Sequence, residues 1–128
     1  PYMPRGSFID VVGYPMPPSV LRCMPRQRLV DAVRCAGLEY VLERDGGWER
    51  VCDWAAELSV GEQQRVGFAR VFLHLPALVL LDEASSALDA PSERRMYEAL
   101  KRLDVAFISV GHHPAMVDFH DHVLTLEG

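Results

Sequence analysis

Long apolar runs are missing from this chain of 128 residues. None approaches the roughly 18 residues of a membrane span, and no signal peptide is visible. If the protein serves a membrane, it does so through a partner segment outside these residues. A basic excess is missing too: the net charge of −5 argues against a dedicated nucleic-acid binder, which displays Lys and Arg to the phosphates. Cysteine is scarce. Cys23, Cys35 and Cys52 are odd in number and widely spaced, which suits a reducing compartment and buried packing; a metal site would want close pairs. The chain has no Gly-x-Ser-x-Gly elbow, no evident Cys/His pairing, no internal repeat and no low-complexity tract. A Gly-x-x-x-x-Gly-Lys-[Ser/Thr] phosphate loop is also absent.

The 49% of hydrophobic residues suffices for the core of about one domain. Residues 1–20 hold five of the nine prolines and read as loop, interrupted by a short helix over 7–12 with Ser7 as its cap. Leu29, Val30, Val33 and Ala36 recur at helical spacing, and Gly37 supplies the stop. A further short helix over 38–43 and a turn at Asp45-Gly46-Gly47 complete a small helical segment.

Ser59-Val60-Gly61-Glu62 is a capping-box pattern, and the helix it opens runs to about His74, where Pro76 ends it. The apolar run 77–81 is expected to be a strand buried on both faces of a parallel sheet. Asp89 caps a helix with Pro91 in its first turn, reaching about Leu103. A buried strand over 105–110, a short helix over 115–119 and a last strand over 122–126 follow. Strand, helix, strand in this order means α/β with a right-handed crossover. The division expected is 1–57, chiefly helical, and 58–128, the sheet-bearing part.

Three places could carry chemistry. A helix N-terminus with free amides binds anions, and Gly61 beside Ser59 lets phosphate oxygens approach closely. Alone, Ser-x-x-Glu is far more often only a cap; the Gln63-Gln64-Arg65 continuation and the strand beyond reverse those odds. Asp82-Glu83 ends a buried strand, where open α/β sheets place ligands. One carboxylate there can hold Mg²⁺ through water while the other orients an attacking water. The blander account, an acidic pair opening a turn, loses weight with five apolar residues before the pair and Ala84-Ser85-Ser86 after it. His112 follows the next strand at the same sheet edge, within reach of a γ-phosphate; a lone His there is more often structural. His113, His120 and His122 lack the carboxylate or thiol companions of a metal site.

These four elements in order, residues 58–64, 77–83, 86–89 and 109–112, resemble the second half of an ABC-type ATPase domain. The similarity covers nearly the whole chain. Within the family, Pro1-Tyr2-Met3-Pro4-Arg5-Gly6-Ser7-Phe8, Gly46-Gly47-Trp48-Glu49, Asp53-Trp54 and Phe119-His120-Asp121 resemble two transporter branches. One is the bacterial SbmA/BacA type with a fused ATPase; the other is the peroxisomal fatty-acyl transporters. The resemblance implies a partial P-loop NTPase domain that binds ATP and Mg²⁺. Leu58, Ser59, Val60, Gly61, Glu62 and Gln63 would form the signature that meets the γ-phosphate held by an opposing domain. Val60 departs from the commoner Gly, while Gly61 keeps the close approach. Asp82 would serve Mg²⁺, Glu83 would be the general base, Ser86 to Asp89 the D-loop with Asp89 at the nucleotide, and His112 the switch histidine. Residues 1–8 would follow the Q-loop, which couples to transmembrane helices.

The partners implied are a second ATPase domain in a head-to-tail homodimer and a transmembrane domain fused upstream, with no nucleic acid. The location implied is the cytoplasmic face of a membrane, and Ser86-Ala87-Leu88-Asp89 favours a bacterial inner membrane. Peptides, cobalamin and fatty-acyl compounds are all compatible with the branch. Because Pro1 is not Met and the phosphate-loop lysine would precede it, the chain is expected to be a fragment or processed product that does not hydrolyse ATP alone. Two other readings compete: a DNA-repair, chromosome-maintenance or translation ATPase, and a non-catalytic split or degenerate product. The compact helical segment and acidic charge weigh against the first, and intact Glu83 and His112 against long degeneration.

Overall fold

The computed structural model describes residues 1–127. Its first strand, β1 (Gly6–Ser7), pairs antiparallel with β2 (Val51–Cys52), Gly6 facing Cys52. Helix α1 (Phe8–Gly13) starts at Ser7, whose amide and hydroxyl both donate to Asp10 Oδ2 at 3.1 and 2.9 Å. Local side-chain acceptors of this kind satisfy the open amides of a helix start. The proline-rich stretch is not all loop: Pro18, with φ already set for a helix, opens α2 (Pro18–Cys23). Helix α3 (Arg26–Cys35) buries Leu29, Ala32 and Val33, one face at i, i+3 and i+4. Gly37 ends that region at φ 70°, where a side chain would be strained. Helix α4 (Glu39–Leu42), a 3₁₀ turn (Gly47–Glu49) and α5 (Trp54–Glu57) complete the first part; α5 carries no apolar repeat long enough to be read from sequence.

Helix α6 (Val60–His74) is the axis of the molecule. It buries Val66, Phe68, Ala69, Phe72 and Leu73 and packs against both α1 and α3. Its end is set by Leu75 at φ 48°, followed by Pro76. Strand β3 (Leu78–Asp82) then pairs in parallel with β4 (Ala106–Val110), Leu78 facing Ala106 and Asp82 facing Val110. Between them α7 (Ala90–Arg102) is capped by Asp89, which accepts from the Ser92 amide at 2.8 Å. Hydrogen bonds from Ser92 hold the Asp89 carboxyl below its usual range. One apolar core runs from Phe8 through α6 to Met96, Tyr97 and Leu100 of α7.

Four expectations need correction. Strand β3 is not buried on both faces: Leu81 is covered, but Leu78 and Leu80 are 52% and 72% exposed, as are Ile108 and Val110 at 55% and 56%. Alternate residues of a strand face opposite sides, and here helices cover one side of a two-stranded sheet. Residues 122–126 form no strand; extended backbone becomes a strand only by pairing with a neighbour, and this segment pairs with none among the described residues. The short helix near 115 is a 3₁₀ turn, Pro114–Phe119, opened by proline. The cysteines are free, and their expected burial holds only in part: Cys35 and Cys52 are half-buried against the core, while Cys23 is exposed. Among the described residues, no helix is long and apolar enough to cross a membrane.

Candidate functional site

The start of α6 is built as a reciprocal cap. Ser59 Oγ accepts from the Glu62 amide at 3.1 Å, and Glu62 Oε1 accepts from the Ser59 amide at 2.9 Å. Leu58 is buried beneath this turn, while Ser59 and Val60 are exposed. Gly61 lies close to the loop after β3: a Cβ there would come within 3.2 Å of the Ala87 carbonyl oxygen. Gln63 turns back, donating to the carbonyls of Ala55 and Leu58 at 3.0 and 3.1 Å. It fixes the approach to the turn.

Glu62 carries a second set of contacts. Tyr40 donates its hydroxyl to Glu62 Oε2, Arg44 approaches the same oxygen at 3.5 Å, and Arg65 reaches the Tyr40 oxygen at 2.9 Å. Burial pushes the Glu62 carboxyl up, but the Tyr40 and Ser59 hydrogen bonds and the Arg44 charge outweigh it, so it lies below the usual value of 4.5. A lowered folded-state pKa adds stability that is complete above the unfolded value and is lost as pH falls through the folded one. Tyr40→Phe should therefore shrink the acid-side loss, raising the Glu62 titration midpoint towards 4.5 by NMR. A midpoint unmoved by the substitution would contradict the assignment of the shift to Tyr40.

The second centre lies at the ends of the two parallel strands. Asp82 is the last residue of β3 and is exposed on the open side of the sheet. Glu83 follows at φ 51°, a left-handed backbone that a non-glycine residue adopts only when neighbours hold it. The neighbours are visible: the Glu83 amide donates to the Val110 carbonyl at 2.9 Å, and the Glu83 carbonyl accepts from Gln64 at 3.3 Å. Glu83 Oε1 stands 3.2 Å from His112 Nε2, so the chain brings these two residues together from separate strands. Both line an open cleft of about 400 Å³ with Ser85, Ser86, Leu88, Glu93 and His113. Asp82 is not among its lining residues, and Asp89 stands beyond it as the α7 cap. Ser85 is buried and donates to buried Glu93 at 2.6 Å; His113 Nδ1 lies 3.8 Å from the other Glu93 oxygen. Among the described residues, no three His, Cys, Asp or Glu side chains converge on a metal position.

Gln64 is the residue whose role sequence reasoning missed. It is buried on α6, one turn beyond Gly61, and donates to Ser86 Oγ at 2.9 Å as well as to the Glu83 carbonyl. Its oxygen accepts from the Ala87 amide at 2.8 Å. A polar side chain one turn before Phe68 and two before Phe72, on the otherwise apolar inward face of the helix, is the signal that could have found it.

A capped helix start stands against an acidic strand end, with a histidine arriving from the parallel neighbour, on part of an α/β domain. The ABC transporter family model matches residues 28–86. An uncharacterized ABC transporter ATP-binding protein of Synechocystis is 39% identical over 127 residues, 99% of this chain and 19% of that protein. ABC transporter D family member 1 of Arabidopsis thaliana is 37% identical over all of this chain and 10% of its own length. The lysosomal cobalamin transporter ABCD4 of Mus musculus is 38% identical over all of this chain and 22% of its own length. In fold, the chain is similar to a bacterial Atm1-family ABC exporter with ATP bound, with a TM-score of 0.73 over 88% of this chain and 20% of that one, at 23% identity. The chain is homologous to ABC transporter ATP-binding domains. It spans about a fifth or less of the length of these relatives.

Proposed function

We propose that this chain is the signature-to-switch part of an ATP-hydrolysing domain that powers transport across a membrane. The observation that carries the reading is the Glu83–His112 approach of 3.2 Å in an open cleft, on a turn that α6 holds from behind. A carboxylate at that position can take a proton from an attacking water, and a histidine beside it can donate to an oxygen of the transferred phosphate. Ser59 and the free amides at the start of α6 would meet the γ-phosphate held by a second, head-to-tail domain. Leu58 anchors that turn, Val60 and Gly61 shape it, Glu62 and Gln63 brace it, and Asp89 fixes the D-loop at the start of α7.

The residues present fit the terminal phosphate and the attacking water. Nothing in the sequence supplies a phosphate loop for the rest of ATP, so these 128 residues alone should neither bind ATP tightly nor hydrolyse it. Asp82 would hold Mg²⁺, which neutralises phosphate charge when bound with the nucleotide; a single carboxylate with phosphate and water ligands suits that ion. The open face of the β3–β4 sheet, bearing exposed Leu78, Leu80, Ile108 and Val110, supports a further layer of a larger domain packed over it, since parallel sheets are covered on both faces. That matched relatives are named as transporters supports a transmembrane domain in the same assembly, with this part on its cytoplasmic side, at the inner membrane if the protein is bacterial.

Ser59→Arg in the complete gene product tests the signature assignment. Bulk and charge at the partner's phosphate should lower ATP turnover by at least about 100-fold, the lower end of what losing one preorganised donor to a reacting oxyanion costs. Arg at 59 also removes the Ser59 cap of α6, so stability should fall by about 1 kcal/mol, the usual cost of a lost cap, and turnover is read at a temperature where both proteins are folded. Normal turnover with Arg at 59 would remove the signature turn from the mechanism.

A further inference from the structure

The geometry points to Gln64 as a positioning residue that couples the signature turn to the turn bearing Glu83. The inference rests on the functional reading above and adds a connection which that reading does not contain. Gln64 sits on the first turns of α6, the helix whose start presents Ser59 to a second domain. Its amide group spans the loop after β3 at three points: the Glu83 carbonyl at 3.3 Å, Ser86 Oγ at 2.9 Å and the Ala87 amide at 2.8 Å.

Every polar atom of the Gln64 side chain is engaged, and the side chain is buried. No apolar residue can replace these contacts without leaving the Ala87 amide unpaired. Gly61 adds an independent close approach in the same direction: a Cβ there would lie 3.2 Å from the Ala87 carbonyl oxygen, and the loop would have to give by a few tenths of an ångström. The start of α6 and residues 83–87 are thereby locked as one piece. The consequence is mechanical. When the signature turn is drawn towards nucleotide on an opposing domain, the same displacement is delivered to Glu83, which serves nucleotide on its own domain. Two sites that share no ligand become linked through one side chain, with a stated physical connection between them.

Glu83 is sensitive to such a displacement. Its left-handed backbone, φ 51°, is held by the Val110 carbonyl on one side and by Gln64 on the other. Misplacing a catalytic group by about 1 Å can cost about 100-fold in rate.

The test is ATP hydrolysis by the complete gene product carrying Gln64→Met, which keeps length and volume but loses all three polar contacts. The turnover number should fall about 10-fold or more while KM for ATP stays within about 2-fold, the pattern of a contact that matters in the transition state. Cooperativity between the two sites should fall, with the Hill coefficient for ATP moving towards 1; a purely structural role would leave that coefficient where it was. Gln64→Glu retains an acceptor for the Ala87 amide and for the Ser86 hydroxyl and should recover part of the loss. It also serves as the readout should Gln64→Met fail to accumulate, in which case a Hill coefficient unchanged in Gln64→Glu overturns the proposal. Glu83→Gln is run beside both. If Glu83→Gln abolishes turnover while Gln64→Met is as active and as cooperative as wild type, the coupling is refuted and the functional reading stands. If Glu83→Gln leaves turnover normal, the functional reading fails, and the coupling through Glu83 fails with it.

Discussion

Glu83→Gln in the complete gene product should lower ATP turnover by about 10²- to 10⁴-fold, the range that general-base catalysis contributes. The amide retains the shape and a hydrogen-bonding group towards His112, 3.2 Å away in the native site, but it cannot accept a proton from water. Binding should survive. Nucleotide recognition draws on contacts other than this carboxylate, so the variant should accumulate as an ATP-loaded, closed dimer. The two readouts are phosphate release, which should nearly vanish, and a nucleotide-dependent shift in size, which should persist or grow. Loss of both would mean that Glu83 supports the fold of the turn. Retention of hydrolysis would mean that another group activates the water.

Trp54→Ala should be the most destabilising single substitution in the helical part, costing about 3–5 kcal/mol, the usual range for removing a buried Trp. Trp54 is 1% exposed, and its indole nitrogen donates to the Gly6 carbonyl at 3.0 Å. Its ring lies 5.0 Å from that of Phe8, which in turn lies 5.7 Å from Trp48. The substitution empties a large volume and orphans a carbonyl in the two-stranded β1–β2 ladder, so neighbouring groups cannot fully collapse into the gap. Trp48→Ala is the comparison, because Trp48 is only half-buried and should cost less. A thermal midpoint for Trp54→Ala equal to that of wild type would contradict this account of what holds residues 6–8 to residues 51–54.

Local punctuation made much of this fold legible. Ser7, Ser59 and Asp89 begin helices as their side chains require, and Gly37 and Pro76 mark the ends. Each signal acts within a few residues, so no knowledge of the rest of the chain is needed. The Phe8–Trp48–Trp54 cluster was invisible because its members come from three separate elements. Helix α2 was hidden in a proline-rich stretch, where the same residue type both breaks and begins helices. The apolar run at 77–81 was misread as covered on both faces, since composition records what a strand can bury and says nothing of how many neighbours cover it.

The site divides in the same way. The sequence puts Asp82-Glu83 and His112 at strand ends, and the parallel pairing of β3 with β4 brings Glu83 against His112 while Asp82 lies outside the cleft. Gln64 was passed over as one polar residue of a helix, because its three partners lie 19 to 23 positions further on.

The central claim is that Ser59 and Glu83 of one copy serve different nucleotides in a head-to-tail pair, and mixing two inactive variants tests it most directly. Ser59→Arg spoils only the partner's site, and Glu83→Gln spoils only the site on its own domain. A mixed pair therefore retains one site with an intact Glu83 and an intact opposing Ser59. The account predicts that each variant alone hydrolyses little ATP and that co-assembled protein recovers part of the wild-type rate. No recovery in verified mixed pairs would contradict the shared, head-to-tail arrangement and return both residues to a single site.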